Sequence, residues 1–199
     1  MRVGIFGGTF NPIHVGHLLL AERARESLAL DRVLFIPTHQ PPHKRVPGLL
    51  DGAIRLRMVR LAIKDEPAFV ASDIELQRPG PSYSIDTVAA LHRVLPEARL
   101  FLLIGQDMLT VRWAAWRKLK RLCTIAAVRR PGARRMQAQR GIRWLEMPAM
   151  AVSSSEIRVR LAAGRSIRYL VPPAVERYIR QHHLYHRMGR RPLALDSPR

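Results

Sequence analysis

Short apolar runs alternate with longer amphipathic segments along the chain. Residues 3–6, 33–36, 100–104 and 124–128 are short, apolar and rich in β-branched or aromatic side chains, the pattern of strands buried on both faces. Residues 69–76 alternate apolar and polar positions and predict a further strand, and 142–147 predict another. Between them the apolar positions fall at helical spacing. Over 15–30, Leu18, Leu19, Ala21 and Leu28 oppose Glu22, Arg23 and Glu26. Over 51–64, Ile54, Met58, Leu61 and Ala62 share one stripe. Ser84 is the expected cap of a helix through Leu95, which Pro96 ends, and 116–122 is helical. Ser153 and Glu156 have capping-box spacing, with a helix to Ala163 and Gly164 as its stop. Pro172-Pro173 opens a last helix running to about His183.

Strand–helix alternation of this kind predicts an α/β fold: a Rossmann-like parallel sheet with helices on both faces, joined by right-handed crossovers, and a small C-terminal helical part. One domain over 1–185 is expected, followed by a disordered basic tail over 186–199, where Arg and Pro dominate.

Composition changes this picture in two respects. The chain of 199 residues carries 34 Lys and Arg against 15 Asp and Glu, a formal charge of +19. Arg accounts for 30 of the basic residues. Between Met108 and Leu145 there is no acidic residue, so a field favouring anionic partners is concentrated there. Cys123 stands alone, which excludes an internal disulfide and a cysteine zinc cage and fits a reducing cytoplasm. No apolar run approaches the length of a membrane span, and no membrane partner is expected.

The candidate chemistry lies where the first strand ends. Gly7-Gly8-Thr9-Phe10-Asn11-Pro12 leads into His14-Val15-Gly16-His17 as a helix begins. In an open α/β sheet ligands sit beyond the carboxyl ends of the strands. Glycines there let backbone approach a phosphate, and a helix N-terminus adds N–H groups and a positive dipole end. His14 and His17, three apart, share a face and can address one anion. The same pair can also ligate zinc, although no Asp or Glu lies close in sequence to complete such a site. The phosphate loops G-x-G-x-x-G and G-x-x-x-x-G-K-[ST] are both absent.

The segment from Gly7 to His17 resembles the signature of the HxGH nucleotidyltransferase superfamily, and within it the chain is similar to the bacterial nicotinate mononucleotide adenylyltransferases. Further blocks match in order: Pro41-Pro42-His43-Lys44, Pro81-Ser82-Tyr83-Ser84 with Thr87, Ile104-Gly105-Gln106-Asp107, Trp116, Val128-Arg129-Arg130-Pro131-Gly132, Val152 to Arg158, Tyr169-Leu170-Val171-Pro172, and the end at Leu184-Tyr185. Asn11 stands where Asp is frequent and Ser155 where Thr is usual. The resemblance implies a nucleotidyltransferase fold and adenylyl transfer from ATP to nicotinate mononucleotide, giving deamido-NAD and pyrophosphate, with Mg²⁺ held mainly by the phosphates rather than by protein ligands. It implies His14 and His17 as the catalytic pair. It places Gly7, Gly8, Thr9, Lys44, Gly105, Asp107, Ser155 and Arg158 around ATP, and Tyr83, Ser84, Trp116 and Arg130 around the mononucleotide.

Several of these residues have a second explanation. Trp116 offers a flat face for a pyridine ring and equally an anchor for its helix. Ser84 suits a carboxylate or a cap, and Asp107 a ribose or a cap. Arg130 suits a phosphate or a solvated surface. Another enzyme of the superfamily, acting on nicotinamide mononucleotide or pantetheine phosphate, shares the first motif. The charge alone would also suit a nucleic-acid-binding protein, but no helix-turn-helix, zinc-finger or RRM signature accompanies it, so no specific nucleic acid is expected. A cytoplasmic monomer or small homo-oligomer is the resulting expectation.

Overall fold

The computed structural model describes residues 1–42, 46–129, 141–148 and 150–185. Six strands, β1 (Arg2–Gly8), β2 (Arg32–Pro37), β3 (Phe69–Ala71), β4 (Arg99–Gly105), β5 (Thr124–Arg129) and β6 (Ile142–Glu146), form one sheet. Their order is β3-β2-β1-β4-β5-β6 and every neighbouring pair is parallel. The helices are α1 (Val15–Ser27), α2 (Gly52–Ile63), α3 (Ser84–Val94), α4 (Trp116–Leu122), α5 (Ser154–Ala162) and α6 (Pro173–Gln181).

The continuous apolar strands are explained by helices on both faces. Phe35, Phe101, Leu103, Ala126 and Val128 join a core with Ala21, Met58, Ile157 and Ile179 of α1, α2, α5 and α6. The alternate strand positions Ile5, Leu34, Leu102 and Ile125 join a second core with Val88 and Leu91 of α3 and Leu119 of α4. Strand side chains alternate faces, so each strand feeds both layers.

The sheet divides at its middle. β1 and β4 pair only from Arg2↔Arg99 to Ile5↔Leu102. Beyond that, Gly7 and Gly8 stay with Ile36 and Pro37 of β2, whereas Ile104 and Gly105 stay with Ala127 and Val128 of β5. The chain runs outward from β1 on one side and from β4 on the other, so this divide is the topological switch point where such sheets bind ligands.

The Rossmann-like expectation holds, with four local corrections. The strand predicted over 69–76 ends at Ala71, because Ser72 and Asp73 start a turn: the Ser72 hydroxyl accepts from Ile74 N–H, and the Asp73 carbonyl from Leu76 N–H at 2.8 Å. The helix predicted to residue 30 stops at Ser27, since Ala29 adopts φ 45 to turn the chain into β2. Ser84 does not cap α3: Tyr83 holds the cap position without a side-chain bond, and Ser84 is the first helical residue. The last helix ends at Gln181, short of His183, whose φ is 48. At α5 the Ser153 hydroxyl accepts from Glu156 N–H at 3.1 Å, while the Glu156 carboxylate leans toward Arg160 at 3.8 Å. Gly164, at φ 66, closes that helix as expected. The 186–199 tail lies outside the described residues.

Candidate active site

A cavity of about 480 Å³ opens at the divide. Its walls come from the end of β1 (Thr9), the start of α1 (His14, Gly16, His17), the ends of β4 and β5 (Gly105, Val128) and the start of α5 (Ser153 to Ser155, Arg158). Two helix N-termini therefore flank one space, and among the described residues no carboxylate lines it. A second hollow, about 580 Å³, lies between the end of α1 and β6 and contains none of the candidate residues.

The histidines meet as the spacing predicted. Their rings stack with centroids 3.7 Å apart and 28° between planes. His14 is buried, and its backbone N–H donates to His17 Nδ1 at 3.2 Å. That acceptor role puts the ring proton of a neutral His17 on Nε2, so the ring keeps a donor without being charged. The fully buried Phe10 ring packs against His17 in a T-shaped contact, with centroids 5.1 Å apart. Among the described residues the pair gathers no third His, Cys, Asp or Glu, as a zinc site requires.

The two neighbouring glycines have different reasons. A Cβ on Gly8 would lie 3.0 Å from the buried Phe10 ring, so internal packing disfavours a side chain there. A Cβ on Gly7 would meet nothing within 4 Å, so no contact inside the chain demands its smallness. Gly105 lies beneath Asp107, whose Oδ1 would stand 2.5 Å from an added Cβ. Asp107 itself is exposed in a short 3₁₀ helix, Gln106–Thr110, that the apolar pattern did not predict.

Arg158 donates to the Asn11 carbonyl at 2.8 Å and to Ser155 Oγ at 3.3 Å. Ser154 Oγ donates to the Pro12 carbonyl at 2.9 Å. The start of α5 is thereby bonded to the loop after β1, although about 140 residues separate them in sequence. Arg55, 1% exposed, donates through its three nitrogens to the carbonyls of Leu50, Thr9 and Thr38, each at 2.8 Å. Burial pulls its pKa below the usual arginine range. The sequence pattern singled out neither Ser154 nor Arg55. A signal existed for Arg55: it shares the buried stripe of α2 with Val59, one helical turn on.

Tyr83, Ser84 and Trp116 do not line this cavity. They stand at the starts of α3 and α4, which pack together on the other face of the sheet. Tyr83 is exposed, whereas Trp116 is half-buried against the second core with its ring 5.5 Å from that of Trp113. The segment before α3 is held by a buried cluster. Thr87 Oγ1 donates to Glu75 at 2.7 Å and accepts from Arg78 at 3.1 Å, and Ser82 Oγ accepts from His39 N–H at 2.9 Å. Burial raises the Glu75 pKa against the opposing pull of Thr87, Ser82 and Arg78. Lys44 and Arg130 lie outside the described residues. Cys123 is buried, donates to the Leu119 carbonyl at 3.4 Å, and has its thiol pKa pushed up to about 12 by burial.

Comparison with known proteins shows the family and the fold. The cytidylyltransferase-like family matches residues 5–160. The probable nicotinate-nucleotide adenylyltransferase of Thermus thermophilus is 46% identical, the match covering 93% of this chain and 100% of the relative. Its namesake in Symbiobacterium thermophilum is also 46% identical, over 92% of this chain and 95% of that one. A solved structure, the Plasmodium falciparum nicotinic acid mononucleotide adenylyltransferase complexed with NaAD, superposes with a TM-score of 0.78. The superposition covers 92% of this chain and 97% of that one, and at 17% identity the likeness is one of fold. With a cytidylyltransferase-like match over most of its length and full-length relatives at 46% identity, the chain belongs to the nicotinate-nucleotide adenylyltransferase family of nucleotidyltransferases.

Proposed function

We propose that this chain transfers the adenylyl group of ATP to nicotinate mononucleotide, forming deamido-NAD and pyrophosphate, a step of NAD biosynthesis. One observation carries the proposal. The cavity at the divide of β1 and β4 is walled by His14, His17 and Arg158 and, among the described residues, by no carboxylate, in a chain whose full-length relatives are named for this reaction. A phosphate oxygen of the mononucleotide attacks the α-phosphorus in line. One P–O bond forms, the bond to the β-phosphate bridge breaks, and pyrophosphate leaves. The protein forms no covalent bond; it positions the reactants and offsets charge. His17 donates from Nε2, and His14, Thr9 and the Gly7-Gly8 backbone line the same phosphate path. Ser155 and Arg158 hold the far phosphates, and Lys44 is assigned to the same charge. Gly105 and Asp107 address the ATP ribose.

The mononucleotide lies toward α3 and α4, with Trp116 under the pyridine ring, Tyr83 and Ser84 near its carboxylate, and Arg130 on its phosphate. Mg²⁺ accompanies ATP and neutralises phosphate charge. Among the described residues no cluster of three or more His, Cys, Asp or Glu side chains is formed, and an ion bound mainly by phosphates and water needs none. The working domain is residues 1–185 and its place is the cytoplasm; no described helix is long and apolar enough to cross a membrane. The test is pyrophosphate release from ATP and Mg²⁺ with nicotinate mononucleotide, nicotinamide mononucleotide and pantetheine phosphate in parallel, with product masses. The expected result is fastest release with nicotinate mononucleotide and a product of the mass of deamido-NAD. Turnover confined to another acceptor, or none with any, overturns the proposal.

A further inference from the structure

The loop after β1 rests on a buried polar brace that reaches to the last described residue of the chain. Asn11 is fully buried and bonds in four directions. Its Nδ2 donates to the Gly48 carbonyl at 3.0 Å. Its Oδ1 accepts from Leu50 N–H at 3.3 Å and from the Tyr185 hydroxyl at 2.8 Å. Its backbone carbonyl accepts from Arg158. The Tyr185 bond is the shorter of the two to Oδ1, and it crosses 174 positions of sequence. Tyr185 sits in the first core, 6% exposed, and burial raises its pKa, so the hydroxyl stays a donor across the working pH range.

We infer that Tyr185 is a positioning residue for the ATP side of the active site, acting through Asn11. The inference rests on the proposed function for the identity of the ligand. The hydroxyl fixes the Asn11 amide. That amide anchors the 48–50 segment, and the same residue's carbonyl aims the Arg158 guanidinium into the cavity. Arg55 extends the brace, bonding Leu50 on one side and Thr9 on the other. Two of the residues reached, Thr9 and Arg158, line the cavity, while Tyr83, Ser84 and Trp116 have no hydrogen bond to Asn11, Arg55 or Tyr185 among those of the described residues. A fault in the brace therefore falls more heavily on the ATP side, since the α3 segment is reached only indirectly, through Thr38 and the neighbouring His39.

The test uses Tyr185→Phe in the full chain, which removes one oxygen and keeps the packed ring. Ile179→Val in α6, buried in the same core but not among the residues lining the cavity, serves as a control for mild destabilisation. Two quantities are measured: ATP binding with Mg²⁺ by calorimetry, and the Michaelis constants for both substrates. Tyr185→Phe is expected to weaken ATP about threefold to tenfold, the size of one neutral hydrogen bond. The Michaelis constant for nicotinate mononucleotide should stay within about twofold, and Ile179→Val should leave both constants unchanged. ATP binding equal to wild type, or equal losses for both substrates, overturns the brace while the functional reading stands. Wild type that binds ATP but transfers nothing overturns the functional reading, and the brace is then decided by the binding data. Wild type that binds no ATP overturns both.

Discussion

Arg55 gives the sharpest stability prediction, through Arg55→Met. The side chain is almost fully buried and spends all three of its nitrogens on main-chain carbonyls at 2.8 Å. Methionine fills similar length but donates nothing, leaving the carbonyls of Leu50, Thr9 and Thr38 to find other partners. A buried acceptor left unpaired costs about 1–3 kcal/mol, so the three together cost about 3–9 kcal/mol. Against this, the variant no longer buries a guanidinium, a desolvation penalty of several kcal/mol whose sign shows in the lowered Arg55 pKa. The thioether also packs well. The balance is a net loss of about 3 kcal/mol, near the low end for breaking a buried charged network. With a urea slope of about 2 kcal/mol/M, the unfolding midpoint should fall by about 1.5 M at constant slope. Equilibrium urea unfolding followed by tryptophan fluorescence and by circular dichroism measures the shift. A fall of less than about 0.3 M would refute the reasoning, because it would mean that the three bonds contribute nothing net to the fold.

Three further outcomes follow from the same structure. Burial raises the Glu75 pKa above its ordinary value of 4.5; as pH rises past that value the unfolded chain loses the proton first, so stability is lost. The advantage of Glu75→Gln over wild type in urea midpoint should therefore grow from pH 4 to pH 7, and a constant or shrinking difference would contradict the assignment. Cys123, with its thiol pushed up to about 12, should react with a maleimide at pH 8 at least roughly 10³-fold more slowly when folded than in urea; fast labelling of the folded chain would show that the thiol is reachable and ionised. Trp116→Ala should raise the Michaelis constants for nicotinate and nicotinamide mononucleotide alike and leave that for ATP nearly unchanged. Because the ring also packs on Trp113, it should cost about 1–2 kcal/mol of stability as well, and an effect confined to stability would remove Trp116 from the site.

Much of the fold was legible because a strand buried on both faces must be apolar throughout. The 100–104 run shows this, and β4 exceeds it by one residue at each end. The end of β3 was hidden, since Ile74 and Leu76 continue the apolar alternation while Ser72 and Asp73 turn the backbone. The histidine pair was visible because helical spacing alone brings residues three apart together. The bonds from α5 to the β1 loop were not visible, because they depend on how two distant chain segments dock. The same limit hid the arrangement of the proposed substrate residues. Nothing in their spacing shows that Tyr83, Ser84 and Trp116 stand on one face of the sheet while His17 and Arg158 wall the cavity on the other. That partition follows from the crossover through α3, which returns the chain to the middle of the sheet. Arg55 was masked by its charge, which marks a surface residue unless the buried stripe around it is weighed first.

The central claim is that the stacked histidines at the divided strands assist phosphoryl transfer by donating to the reacting phosphates. Its most direct test is the single-turnover rate of His17→Ala with ATP, Mg²⁺ and nicotinate mononucleotide, all saturating. The structure predicts a folded variant that still binds ATP, with the chemical step slowed about 10²–10³-fold, as when an oxyanion-hole donor is removed. A single-turnover rate within threefold of wild type would contradict the claim.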